Sequence, residues 1–316
     1  MNDSFGRQID YLRLSVTDRC NLRCVYCMPE DGVQLIPHLE VLTFEEIVRL
    51  ARIMKPMGIR KVRVTGGEPL LRRGLPDLVR LLDGIGFEEI VLTTNGLMLP
   101  PVAGELREAG ITRVNISLDS LQDEVLRAVT RSSAGVAAVE EAIRSARQAG
   151  LEPVRVNCVV LRGINDREIP DFIVWSEAEG VQVRFIEQMP AGVGASSFVP
   201  ASEMLARAAV LGRVVEEQDG PGEIQRTFSI EGTGMGFGII QPLSGLDFCA
   251  RCRRIRLSAR GILLTCLSRE EGTDLRRLIR SGAGDEALSR AISEAVSEKP
   301  LRHDGCRGMK MWRTGG

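Results

Sequence analysis

Through most of the first 190 residues, short runs of Val, Ile and Leu alternate with longer stretches in which apolar residues recur every three or four positions. The runs at 11–16, 61–64, 90–93, 113–118, 153–160 and 182–186 have the length and β-branched content of strands. Between the first two, Phe44, Ile47, Val48, Ala51 and Met54 fall on one helical stripe. Thr43, with Glu46 three positions on, has the pattern of a capping box opening that helix. Leu75, Leu78, Val79 and Leu82 repeat the stripe, as do Val139, Ala142, Ile143 and Ala146. Regular alternation of strand and helix predicts parallel strands joined by crossover helices. Six such units are too few for a closed eight-stranded barrel. The expectation is an α/β architecture, an incomplete barrel or an open wound sheet, with ligands beyond the C-terminal ends of the strands.

The pattern changes at Met189-Pro-Ala-Gly-Val-Gly-Ala-Ser-Ser-Phe, a small and flexible stretch that reads as a junction. It divides the chain into one domain over 1–190 and a smaller α+β domain over 191–316. In the second, 203–211 reads as a helix, and 226–230 and 237–240 read as strands. Gly232, Gly234, Gly236 and Gly238 alternate there, the mark of bulged or closely approached strand backbone. They do not form a nucleotide loop: the spacing matches neither the dinucleotide fingerprint nor the P-loop, and no Gly-Lys pair occurs.

Composition narrows the class. With 316 residues, 44% hydrophobic and 26% charged, the chain has the balance of a soluble globular protein rather than a disordered, collagenous or membrane one. Lys and Arg (41) nearly cancel Asp and Glu (42), so any attraction for an anion must be local and not a global field toward nucleic acid or lipid. No apolar run approaches the roughly 18 residues of a membrane span. The start, MNDSFGRQID, lacks the basic and apolar regions of a secretory signal. A cytoplasmic protein with neither membrane nor nucleic-acid partner is expected. In that reducing compartment its eight cysteines read as metal ligands or redox thiols.

Six of the eight fall in two sets. Cys20, Cys24 and Cys27 form a C-x3-C-x2-C array just after the first strand. Three thiolates on one loop can hold three corners of a cubane cluster and leave the fourth iron open; the alternative is a zinc site with a distant fourth ligand. Cys249, Cys252 and Cys266 again make three ligands, with Cys306 available to close the site. Cys158, among Val156, Val159 and Val160, reads as a packed core thiol. His38 and His303 have no partner pattern, and Trp175 reads as core.

The cysteine loop after the first strand, with Gly66-Gly67-Glu68-Pro69 after the second, resembles the radical S-adenosylmethionine (SAM) enzymes. Longer matches are closer to the GTP 3′,8-cyclases of molybdenum-cofactor biosynthesis. They are Leu12-Arg13-Leu14-Ser15-Val16-Thr17-Asp18-Arg19-Cys20-Asn21, Arg63-Val64-Thr65-Gly66-Gly67-Glu68-Pro69-Leu70 and Leu92-Thr93-Thr94-Asn95-Gly96. Asn115-Ile116-Ser117-Leu118-Asp119, Arg184-Phe185-Ile186-Glu187 with Met189, and Phe248-Cys249-x-x-Cys252-x-Arg254-x-Arg256 extend the likeness, which ends with Gly315-Gly316.

The resemblance implies a partial (β/α)6 barrel of the TIM type. One [4Fe–4S] cluster and SAM would sit at one mouth. A C-terminal domain would bring a second [4Fe–4S] cluster to the other. It implies that Tyr26, Gly67, Ser117 and Met189 bind SAM, and that Arg13, Arg63, Thr93, Arg155, Arg254, Ile255 and Arg256 bind GTP. Arg254, Arg256, Gly315 and Gly316 would take part in catalysis. Position 155 is commonly Lys in the family, and Thr314 replaces a usual apolar residue. The implied reaction begins with a 5′-deoxyadenosyl radical that removes the C3′ hydrogen of GTP. C3′ then bonds to C8, and an electron and a proton complete the product. Its partners would be a flavodoxin- or ferredoxin-type reductant and the cyclic pyranopterin monophosphate synthase downstream, with a homodimer as a further expectation.

Elementary chemistry agrees: guanidinium forks suit phosphate oxygens, and alternate strand residues such as Arg254 and Arg256 share a face. Two other readings remain open on the residues alone. One is a twin-cluster radical SAM enzyme acting on a peptide or an RNA; the other is a non-catalytic iron–sulfur scaffold.

Overall fold

The computed structural model describes residues 1–189, 197–218, 220, 224–269 and 271–303. All six expected strands form, as β1 (Tyr11–Ser15), β2 (Lys61–Thr65), β3 (Glu89–Thr94), β4 (Arg113–Ser117), β5 (Arg155–Val160) and β6 (Gln182–Glu187). They pair in sequence order, each parallel to the next. The helices between them are α1 (Phe44–Met54), α2 (Leu75–Asp83), α3 (Ala103–Ala109), α4 (Asp123–Thr130), α5 (Val136–Gln148) and α6 (Ile169–Glu179). The capping box forms in both directions: Glu46 N donates to Thr43 Oγ1 and Thr43 N to Glu46 Oε2. The fourth crossover holds two helices where periodicity marked one. Arg131 takes a left-handed conformation (φ 49°) at the end of α4 and so breaks the stripe.

The C-terminal strands do not build a sheet of their own. β7 (Val214–Glu216), β8 (Gln225–Ile230) and β9 (Gly236–Ile240) extend one edge, with β9 parallel to β6. β10 (Arg254–Leu257), β11 (Ile262–Leu264) and β12 (Thr273–Asp274) extend the other, with β10 parallel to β1. A six-stranded parallel sheet exposes two unpaired edges, and the C-terminal half pairs with both. Helix α7 (Ala201–Ala208) runs into a 3-10 turn at Ala209–Leu211, close to the expected 203–211. α8 (Leu275–Arg280) and α9 (Asp285–Ser297) complete the set. Of the alternating glycines, Gly232 and Gly234 make the β8–β9 turn with positive φ, while Gly236 and Gly238 lie in β9. A Cβ at Gly238 would stand 3.2 Å from Arg184 Cγ, so this glycine leaves room for that arginine.

Strand residues alternate between two environments. Leu12 and Leu14, Val62 and Val64, Ile90 and Leu92, Val114 and Ile116, and Ile255 and Leu257 are buried in one core with Ile47, Leu50, Met54, Leu78 and Leu82 of the helices. Cys158 and Phe172 belong to that core, and Trp175 packs edge-on against Phe172 at its border. Arg13, Arg63 and Arg256, in between, face the other way, into a cavity. Among the described residues no helix is long and apolar enough to cross a membrane.

Candidate active site

The cavity inside the sheet has a volume of about 1070 Å³. Topology puts one cysteine set at each end of it. Cys20, Cys24 and Cys27 follow β1 and lie beyond the C-terminal ends of the parallel strands. Cys249 and Cys252 precede β10 and Cys266 follows the antiparallel β11, so all three lie at the N-terminal ends. All six line the cavity wall and are reduced.

The first loop is held by backbone contacts. Arg23 N and Val25 N donate to the Thr130 and Val129 carbonyls, which the end of α4 leaves free. On the other side the chain at 66–68 runs against it: Gly67 N donates to Thr17 O and Glu68 N to Arg19 O, at 2.8 and 2.7 Å. A Cβ on Gly67 would lie 2.3 Å from Arg19 O, so this approach requires glycine. Glu68 is buried and accepts from Thr94 Oγ1, Asn95 N and Leu70 N, tying the loops after β2 and β3 together. Burial lifts its pKa to about 7 against those hydrogen bonds. Asp119, raised by burial to about 6, accepts from Tyr26 Oη at 2.7 Å and from Val159 N. Burial first, then the neighbouring thiols and Asp119, push the Cys27 thiol up to about 12 and Cys24 well above the usual range.

The second set has basic neighbours. Lys299, 3% exposed, donates from Nζ to the carbonyls of Arg254 (3.0 Å) and Thr265, next to two of the three cysteines. Buried Arg7 donates to the Cys249 carbonyl at 2.9 Å and to those of Pro300 and Leu301. Burial opposes ionisation of Cys252, but Arg254, Lys299 and Arg256 outweigh it and bring the thiol down to about 6.

Between the two ends, strand register sets cations side by side. Arg256 pairs with Arg13 and Arg13 with Arg63; one step down, Arg254 pairs with Tyr11 and Tyr11 with Lys61. Burial, then mutual repulsion with Arg256 and Arg63, holds Arg13 well below the ordinary guanidinium range; burial and Arg254 bring Arg256 to about 10. Arg184 donates to Asn157 Oδ1 and Asn115 Oδ1, and Arg113 to Asn115 Oδ1 and Glu89. Cations gathered at this density can receive a polyanion.

Comparison with known proteins bears directly on this cavity. Residues 14–175 match the model of the radical SAM superfamily, and residues 181–305 that of Molybdenum Cofactor Synthesis C. A protein of Pelotomaculum thermopropionicum named GTP 3′,8-cyclase is 45% identical over 99% of this chain and 97% of its own. One of Heliobacterium modesticaldum with the same name is 46% identical over 96% and 94%. This chain belongs to the GTP 3′,8-cyclase family of the radical SAM superfamily. Its fold is shared with a solved structure of Streptococcus suis SuiB bound to S-adenosylmethionine, at a TM-score of 0.63 and 13% identity over 93% of this chain and 67% of that one.

Membership of the superfamily brings one [4Fe–4S] cluster and SAM. The first cysteine set fits them: three thiols on one loop, braced by a glycine pair that leaves no side chain between the strand ends and the loop. Among the described residues, no group of three or more His, Cys, Asp or Glu side chains is arranged to hold a single metal ion. Tyr26, Gly67, Ser117 and Met189 line the cavity, as do Arg13, Arg63, Thr93, Arg155, Arg254 and Arg256. Arg155 also donates to Gln182 Oε1 at 3.0 Å. Ile255 departs from its expected place. Lying between two cavity-facing residues on β10, it points to the opposite side, and its side chain is buried in the core. Gly315, Gly316 and Cys306 lie outside the described residues. His303 is on the cavity wall, with Nε2 2.7 Å from the Pro242 carbonyl oxygen.

Several wall residues had not been singled out: Tyr11, Lys61, Arg113 and Lys299. The first three share strand period with Arg13, Arg63 and Asn115, a signal that extending the alternation would have found. Lys299 stands alone before Pro300 and has no such signal.

Proposed function

We propose that the chain closes a ring within GTP, joining ribose C3′ to guanine C8 to give (8S)-3′,8-cyclo-7,8-dihydroguanosine 5′-triphosphate for molybdenum-cofactor biosynthesis. The reading rests above all on one cavity with a three-cysteine set at each end and a wall of buried arginines between. The second set, by this reading, carries a second [4Fe–4S] cluster with an open iron. The name shared by relatives that span nearly the whole chain supports it.

Cys20, Cys24 and Cys27 would hold the first cluster, and SAM bound there would supply the 5′-deoxyadenosyl radical chemistry that removes the C3′ hydrogen. The protein's own part is placement. Tyr26, Gly67, Ser117 and Met189 enclose SAM. Arg13, Arg63, Arg254 and Arg256 grip the triphosphate, with Thr93 and Arg155 farther along the wall, and Ile255 contributes only backbone. Guanidinium forks match phosphate oxygens two at a time and relieve here a mutual repulsion built into the empty wall. Fixing C3′ in one pose beside the radical source is worth orders of magnitude in effective concentration. Electrons would come from a flavodoxin- or ferredoxin-type protein, and the product would pass to cyclic pyranopterin monophosphate synthase.

Oxygen-free incubation with SAM, GTP and dithionite, followed by mass analysis, tests the proposal. A cyclised nucleotide and 5′-deoxyadenosine should appear together. Formation of 5′-deoxyadenosine with GTP unchanged points to a peptide or RNA substrate. With every cysteine site loaded, absence of both products leaves an iron–sulfur scaffold.

A further inference from the structure

Tyr11 opens β1 on the face shared with Arg13 and lines the cavity. Its ring is held between two cations: Lys61 Nζ stands 5.6 Å from the ring centroid and the Arg63 guanidinium carbon 5.4 Å. Such contacts fix the ring, and with it the direction of the hydroxyl. The phenol oxygen is fully buried and has no hydrogen-bond partner among the described residues; the same is true of the adjacent Arg63 Nε. The nearby carboxylate of Glu89 is engaged by Lys61 and Arg113. A buried donor without an acceptor is costly, and two side by side in a ligand cavity call for an acceptor that arrives with the ligand. The charges bearing on the phenol are Arg63, Arg13, Arg254 and Lys61, all positive. Burial raises its pKa, but these four outweigh burial, leaving it below the ordinary value and the O–H a stronger donor.

We propose that Tyr11 is a phosphate-binding residue, its hydroxyl donating to an oxygen of the nucleotide's triphosphate beside Arg63. This rests on the nucleotide reading of the cavity. A phenol suits the position because it adds a directed donor without adding a further positive charge to a wall already strained by repulsion. The residue therefore favours GTP over a guanine nucleoside without phosphates.

Equilibrium binding of GTP and of guanosine to the oxygen-free holoenzyme, unaltered and with Tyr11→Phe, tests this. The variant keeps the ring and its cation contacts and removes one hydroxyl. GTP should bind about tenfold more weakly, the usual weight of a hydrogen bond to a charged group, and guanosine unchanged. GTP affinity within twofold of the unaltered protein overturns the proposal, as does an equal loss for guanosine. If the unaltered protein binds no GTP, the nucleotide reading itself fails and this proposal with it. A second measurement needs no stable variant. The chain has two tyrosines, so 3-fluorotyrosine labelling gives two fluorine resonances, and Tyr26 can be identified through Tyr26→Phe. The Tyr11 resonance should move on addition of GTP or inorganic tripolyphosphate and stay put with guanosine; no movement with either phosphate overturns the assignment.

Discussion

Cys24 and Cys27 are buried beside Asp119, in surroundings that keep their protons on; Cys252 sits beside Arg254, Lys299 and Arg256, in surroundings that take its proton off. The same donor atom at opposite ends of one cavity thus meets opposite fields. The difference follows from where each loop joins the sheet. The first leaves the C-terminal ends of the strands, where Glu68 and Asp119 are engaged in holding neighbouring loops. The second enters at the N-terminal ends, where register has gathered the arginines. Loading metal at the first set must displace protons, and binding energy is spent on them. At the second set, part of that cost is already met by cations, which would also balance the negative charge of the proposed second cluster.

The sharpest break between the two ends comes from removing one ligand at each. Cys24→Ala should abolish 5′-deoxyadenosine formation and cost roughly four iron atoms per chain. Cys252→Ala should lose the same iron yet still cleave SAM, now without consuming GTP. Iron analysis with product quantification distinguishes them; equal loss of SAM cleavage in both would erase the difference in role.

The next effect is in thiol reactivity of the cluster-free protein. With its pKa near 6, Cys252 is largely thiolate at pH 7, whereas Cys27, near 12, is almost wholly thiol. Iodoacetamide at pH 7 should label Cys252 at least about tenfold faster than Cys27. The advantage should shrink as pH falls through about 6, because the thiolate is lost there. Peptide mass mapping over a pH series reads this, and equal rates would contradict the contrast.

A smaller change sharpens the cause. Lys299→Met removes one of the cations acting on Cys252 and leaves Arg254 and Arg256. The pH at which Cys252 begins to react should rise by roughly one unit or less, while Lys299→Arg should stay close to the unaltered protein. An unchanged profile in Lys299→Met would assign the whole effect to the arginines.

Local chemistry was legible where the chain speaks over short distances. The six barrel strands follow from β-branched runs, the first helix from Thr43 and Glu46, and the first cysteine set from spacing within eight residues. Cys158 was readable as core from its apolar neighbours. Other features needed the fold. Ile255 was grouped with Arg254 and Arg256, although a strand turns it to the other side. Arg251 and Arg253 belong to the same basic run, yet they pair with Asp247 and Asp10. Helix α4 was hidden because the break at Arg131 that separates it from α5 is a backbone conformation and not a residue type.

By itself the sequence determined the elements, the donor chemistry and the family, because periodicity, capping and motif spacing act between residues a few positions apart. Only the tertiary structure decided that β10 lies beside β1, so that Arg254 meets Tyr11 and Arg256 meets Arg13 across more than two hundred residues of chain. It likewise decided that Lys299 reaches the carbonyl before Cys266. The physical reason is that strand pairing is chosen by which edge remains open and which register buries the apolar face. Neither is a property of any local stretch of residues.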